Sequence, residues 1–120
     1  MDPFVPKPIK PAVPLSVFAQ LDIRLGSIVA VDEVAGSRKL MKLTVSFGDH
    51  TRSILAGIKQ ERDDPGTLVG RQALFVVNLE PRQMAGQTSE GMLFDIGSAD
   101  GLLPALAVPE RPLPDGACAG

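Results

Sequence analysis

At 120 residues, 44% hydrophobic and 22% charged, the chain has the make-up of one globular domain with a single modest core. Its net charge of −2 excludes capture of nucleic acid by a strongly basic body, though it leaves room for a local basic patch. One Cys and one His exclude an intrachain disulfide and a His/Cys metal cluster, and with no Trp or Tyr only Phe4, Phe18, Phe47, Phe75 and Phe94 could stack on a base.

The organisation expected is an N-terminal arm over residues 1–15, a domain over 16–117 and a tail over 118–120. Residues 1–14, "MDPFVPKPIKPAVP", carry five prolines. Proline fixes φ and donates no hydrogen bond, so this is an extended arm. It lies on a partner subunit, fills an aromatic groove, or is a flexible leader. "SVFAQLD" predicts a short helix with Ser16 as N-cap. "IRLGSIVAVDEVA" predicts a strand, with a bulge or sharp bend at Gly26. In "LMKLTVSFG", Met41, Leu43, Val45 and Phe47 face one way, and Lys42, Thr44 and Ser46 the other. "GDHT" predicts a hairpin turn and "RSILAGI" the returning strand. Residues 59–70, charged and then broken by Pro65-Gly66, predict a short helix and loop. "RQALFVVNL" predicts a strand buried on both faces, "GMLFDIG" another, and "GLLPALAVP" a last short one. "ERPLPDGACAG" closes the chain as a loop. Several short strands with one helical insertion suggest an all-β closed barrel, nearest to the OB-fold.

The start of the sequence lacks an apolar run of signal-peptide length, and no run approaches the ~20 apolar residues of a membrane span. A cytoplasmic protein without a membrane partner is expected, and the lone thiol of Cys118 suits a reducing compartment. His50 falls in a turn, where a catalytic triad would hold it poorly. Asp63-Asp64 could pair as carboxylates, or cap a loop beside Pro65. There is no phosphate-binding glycine loop. The expectation is a binding protein, not an enzyme, with no cofactor, metal or catalytic residue.

The segments "FAQLDIRLGSIV", "SRKLMKLTVSFG", "ILAGI", "VVNLEPRQMAGQTSEGMLF" and "LPDGA", in this order and spacing, resemble the tRNA-binding domain family. That family includes free-standing tRNA-binding proteins, the C-terminal domain of methionyl-tRNA synthetase, cytokine-like domains of synthetase-associated factors and CsaA-type secretion chaperones. The resemblance covers residues 16–117 and centres on Asn-Leu-x-Pro-Arg followed by Gly-x-x-Ser-x-Gly-Met. It implies a five-stranded OB-fold barrel with short helices and an added C-terminal element. It also implies a homodimer and a structure-specific tRNA ligand, with an aminoacyl-tRNA synthetase as a possible associate. The chain departs from many relatives in having Gln83 after "PR", and Glu80 and Glu90 thin the local positive charge.

Within this motif each residue has two readings. Asn78 contacts a base or sugar edge, or pins the next turn. Arg82 offers its fork of donors to phosphate, or pairs with Glu80 or Glu90. Gly86 and Gly91 supply positive φ or a close backbone approach. Ser89 reaches a 2′-OH or phosphate, or caps a strand start. Met92 lies against a base, or belongs to the core. Arg38, Lys39 and Lys42, the densest positive cluster, form a phosphate track with Arg82 or a plain solvated face. A dimer interface is expected over Leu102 to Val108, alone or with the start of the chain. The alternative function is a CsaA-like dimer that holds unfolded or presecretory polypeptide in a cleft with Met84, Met92 and Phe94.

Overall fold

Period-two alternation drives the architecture of residues 3–120, the span that the computed structural model describes. In chain order these residues form one helical turn, α1 (Leu15–Phe18), and the strands β1 (Ile23–Glu33), β2 (Met41–Ser46), β3 (Thr51–Ala56), β4 (Gln72–Val76), β5 (Arg82–Met84), β6 (Gln87–Ser89), β7 (Met92–Leu93), β8 (Asp95–Ile96), β9 (Ala105–Leu106) and β10 (Cys118–Ala119). On β2, Met41, Leu43 and Val45 are buried while Lys42, Thr44 and Ser46 are not, so one face of the strand turns to a core. The main antiparallel sheet runs in the order β3-β2-β1-β4-β7.

This sheet curls because β1 serves two partners. Its first half, Ile23–Ser27, pairs with β4, and its second half, Ser27–Glu33, pairs with β2. The register shifts between Ile28 and Ala30, so the bulge lies just past Gly26 and not on it. Gly26 is needed for close packing instead, because a Cβ there would sit 2.5 Å from Val45 Cγ1 and 2.8 Å from Phe47 Cε1. The missing side chain lets the bent strand press on the core. Ile28, Leu43, Val45, Ile54 and Phe75 are fully buried, and Phe47 meets Phe75 edge to face at 5.7 Å. Each such burial stabilises by about 1.5–3 kcal/mol.

The free edge of β3 closes on residues 89–91. The Glu90 amide donates to Ser53 O at 2.8 Å, and the Ser53 amide donates to Glu90 Oε1 at 3.0 Å. The Arg52 guanidinium spans the seam, donating to Val77 O at 2.7 Å and Glu90 O at 3.0 Å. The result is the OB-like barrel, followed by a C-terminal element built from β8, β9 and β10.

Three local expectations are corrected, and the short helix of residues 59–70 is found as a 3-10 turn. The helix begins at Leu15, and Ser16 lies inside it: Pro14 holds the cap position and its carbonyl takes the Val17 amide at 3.0 Å. Residues 59–70 yield no α-helix; Asp64 caps a 3-10 turn over Pro65–Leu68 through the Gly66 amide at 3.1 Å. "GMLFDIG" splits into β7 and β8 at Phe94, whose amide still donates to Leu74 O at 3.0 Å. The closing loop is not all loop, because Cys118 and Ala119 pair with Arg24 and Ile23 on β1.

Met1 and Asp2 of the arm lie outside the described residues. Residues 3–14 are exposed and form no helix or strand. They follow their own chain: Lys7 Nζ donates to Ala99 O at 2.6 Å and lies 3.9 Å from Asp100.

Candidate functional site

The polar segment after β4 folds into a hairpin of β5 and β6, with Arg82 opposite Ser89, Gln83 opposite Thr88 and Met84 opposite Gln87. Ala85 and Gly86 form the two-residue turn, at φ of 49° and 78°. Positive φ at both central residues is what a type I′ turn requires. Gly86 thus supplies the turn, whereas Gly91 supplies a close approach: a Cβ on it would lie 3.0 Å from Val76 O.

Two of the candidate contact residues are committed to the framework. The Asn78 amide accepts from the Asp22 backbone at 2.7 Å and donates to Gln20 O at 2.7 Å, tying the end of β4 to the entry of β1. The Ser89 hydroxyl accepts from the Leu55 amide at 3.0 Å and donates to Gly91 O at 3.0 Å. Ser89 is only 3% exposed. The turn-pinning reading of Asn78 and the strand-start reading of Ser89 both describe the geometry, and Asn78 remains exposed beside these bonds.

The cations are arranged differently. Lys42 pairs with Leu55 across β2 and β3, Leu55 is bonded to Ser89, and Ser89 pairs with Arg82. Lys42 and Arg82 are thus linked through β3 and the Ser89 hydroxyl, although β5 and β6 form a two-stranded sheet of their own. Arg38 and Lys39 sit on the loop between β1 and β2. That loop is held by the Ser37 hydroxyl, which accepts from the Leu40 amide at 3.0 Å, and by the Lys59 amide, which donates to Lys39 O at 3.0 Å. Among the described residues, the side chains of Arg38, Lys39, Lys42 and Arg82 have no ion-pair or hydrogen-bond partner. Asp32 faces Lys42 in register but does not bridge to it. Glu90 spends its carboxylate on Ser53, so it does not claim Arg82.

Met92 lies on β7 opposite Val76. It is 43% exposed and shares a groove of about 640 Å³ with Phe94, Asp95, Gly97 and Lys10. The seven candidates thus divide into four unpartnered cations, two framework residues, and one methionine in a groove.

Arg24 on β1 is engaged. It donates to Asp22 at 2.6 and 3.1 Å and to Gly116 O at 3.2 Å, and the Asp22 hydrogen bond and charge raise its pKa. His50 stacks on Phe47 at 5.6 Å, donates from Nδ1 to Asp49 at 2.6 Å, and accepts from Arg52 Nε at 3.1 Å. The bond from His50 is the largest cause holding Asp49 below the usual carboxylate range. Both ring nitrogens are occupied in fixing the turn. The seam role of Arg52 has no sequence signal, since one arginine on a strand carries no spacing pattern.

Among the described residues no group of three or more His, Cys, Asp or Glu could hold a metal. Among them, too, no helix is long and apolar enough to cross a membrane.

A family profile described as "Putative tRNA binding domain" matches residues 23–117. Methionine–tRNA ligase of Chlorobium chlorochromatii is 42% identical over 94 residues, which is 78% of this chain and 13% of that protein. The corresponding ligase of Cytophaga hutchinsonii is 39% identical over 97 residues, 81% of this chain and 14% of that one. The chain thus spans about one seventh of these relatives or less. Among solved structures, a MetRS related protein from Pyrococcus horikoshii superposes with a TM-score of 0.84 at 30% identity, covering 92% of this chain and all of that one. The chaperone CsaA of Bacillus anthracis gives 0.79 at 27% identity, again over 92% of this chain and all of that one. The match over residues 23–117 and the relatives above 30% identity establish that this chain belongs to the tRNA-binding domain family.

Proposed function

We propose that this chain is a non-catalytic, dimeric tRNA-binding module that works in the cytoplasm beside an aminoacyl-tRNA synthetase. One observation carries the reading: Arg38, Lys39, Lys42 and Arg82 are all without ion-pair or hydrogen-bond partners among the described residues. Unpaired guanidinium and ammonium groups suit the phosphates of a folded RNA. Four such contacts give modest affinity, so the shape of the RNA must supply selectivity. The methionine–tRNA ligases that resemble this chain place a domain of this kind within a synthetase.

The test is the salt dependence of tRNA affinity. Replacing all four cations by Ala should make the log–log salt slope shallower, by up to about 3.6 if each touches a duplex phosphate. An unchanged slope would falsify the reading.

The second reading is polypeptide holding. It is supported by the exposed Met92 and Phe94 groove and by the likeness to CsaA. An unfolded model peptide that binds with no salt dependence, and equally to the four-alanine variant, would favour it.

A further inference from the structure

We propose that the proline-rich arm is a working part of the site: Lys7 anchors it so that Lys10 binds a phosphate of an unpaired nucleotide lying in the Met92–Phe94 groove. The proposal rests on the tRNA reading and deepens it, by assigning a second, single-stranded subsite beside that of Arg38, Lys39, Lys42 and Arg82.

The arm's sequence sets its geometry. Pro6, Pro8 and Pro11 flank Lys7 and Lys10, and an extended proline-rich helix has three residues per turn. Two lysines three positions apart then project from the same side, about 9 Å apart at ~3.1 Å per residue. The contacts agree with that spacing. Lys7 Nζ donates to Ala99 O at 2.6 Å, and Lys10 lines the groove that Ala99 also lines. Ile9, between them, is 99% exposed, so the arm is held by its lysine anchor and not by apolar burial.

Charge identifies the occupant. Without the arm, the ionised groups at this groove are Asp95 inside it and Asp100 beside it. A phosphate would meet only carboxylates there. Lys7 offsets Asp100 at 3.9 Å, while Lys10 has no ion pair or hydrogen bond among the described residues. The arm therefore supplies the one uncommitted positive charge on the rim. The floor is apolar and flat-sided: Phe94, 39% exposed, is the one aromatic that the strand region presents to solvent, with the polarizable Met92 two residues away. An aromatic and thioether floor with an ammonium on its rim matches an unstacked base and its phosphate. At about 640 Å³ the groove falls within the range of small-ligand sites.

The experiment measures fluorescence anisotropy of labelled tRNA at 50 and 200 mM salt for the full chain, K7A, K10A, K7A/K10A and F94A. K10A should make the salt slope shallower by about 0.7, the value for one single-strand phosphate. K7A should lose nearly as much, and the double variant little more than K10A alone, because Lys7 acts by positioning. F94A should weaken binding several-fold with the slope unchanged. A blunt RNA duplex, which offers no unpaired nucleotide, should bind the full chain and K10A alike. A K10A slope equal to wild type, or equal losses on tRNA and blunt duplex, overturns the arm proposal and leaves the tRNA reading standing. Absence of tRNA binding by the wild-type chain overturns both.

Discussion

The Ser89 hydroxyl lies 3.0 Å from the Leu55 amide nitrogen and 3.0 Å from the Gly91 carbonyl oxygen, shut away from solvent. Ser89→Ala would leave the buried Leu55 amide without an acceptor, a loss of about 1–3 kcal/mol of stability. Urea unfolding should show that loss, while the tRNA affinity of the folded protein stays within twofold of wild type. Arg82→Ala should behave in the opposite way. Arg82 is exposed and unpartnered among the described residues, so stability should move by less than about 0.5 kcal/mol while the salt slope falls. If Ser89→Ala lowered affinity without lowering stability, the framework assignment would be wrong. Glu61 gives a pH signature of the fold. Burial, and then Asp95, push its pKa above the usual carboxylate range. The folded chain therefore holds that proton after the unfolded chain has released it. The stabilising contribution is intact below about pH 4.3 and is lost as pH rises through the folded value. Wild type and Glu61→Gln should then melt alike near pH 4, and Glu61→Gln should melt higher at pH 7. Equal melting temperatures at both pH values would remove the argument.

At the level of elements, the hairpin of β5 and β6 carries Arg82, and its turn is imperfect. Ala85 sits at φ of 49°, a conformation costing a residue with a Cβ roughly 1–2 kcal/mol. Ala85→Asn, suited to the first central position of a type I′ turn, should stabilise the protein by about 1 kcal/mol in chemical unfolding. Loss of stability would mean that the turn is held differently. The same hairpin shows where legibility ends. β2 and β4 could be read because one buried face imposes alternation on Met41, Leu43 and Val45 and a dense apolar run on residues 72–76. β5 and β6 are polar on both faces, and an Ala-Gly turn is a weaker signal than Asn-Gly. β10 is two residues long and exists because the edge of β1 beside Ile23 and Arg24 accepts it, which no local pattern announces. The site divides likewise. The residue types of Arg38, Lys39, Lys42 and Arg82 could be read from the sequence. The link from Lys42 to Arg82 by way of Leu55 and the Ser89 hydroxyl is a fact of strand pairing and tertiary closure. The commitment of Asn78 to Gln20 and Asp22 is a fact of tertiary closure.

At the scale of the whole molecule, a net charge of −2 gives little long-range attraction for RNA, so affinity must be assembled from local contacts. Four basic side chains give modest affinity, and in the proposed dimer two such sets would act together on one large ligand. The C-terminal element offers a place for such an interface. Leu103 is 78% exposed, and Ile96, Leu102 and Val108 are also open to solvent. Apolar residues gathered on one short stretch of chain are a costly surface for a monomer and a ready one for a second copy. Leu103→Glu should leave the barrel folded, since its side chain lies outside the core, yet halve the mass seen by sedimentation at micromolar concentration. Losing the paired site should weaken tRNA binding by about 100-fold or more, the scale on which linked modest sites gain over single ones. The salt slope per protomer should be preserved, because Arg38, Lys39, Lys42 and Arg82 are untouched. A wild-type chain that sediments as a monomer, or a monomeric Leu103→Glu that binds tRNA as tightly as wild type, would show that one set of basic side chains suffices and that the exposed leucines serve another partner.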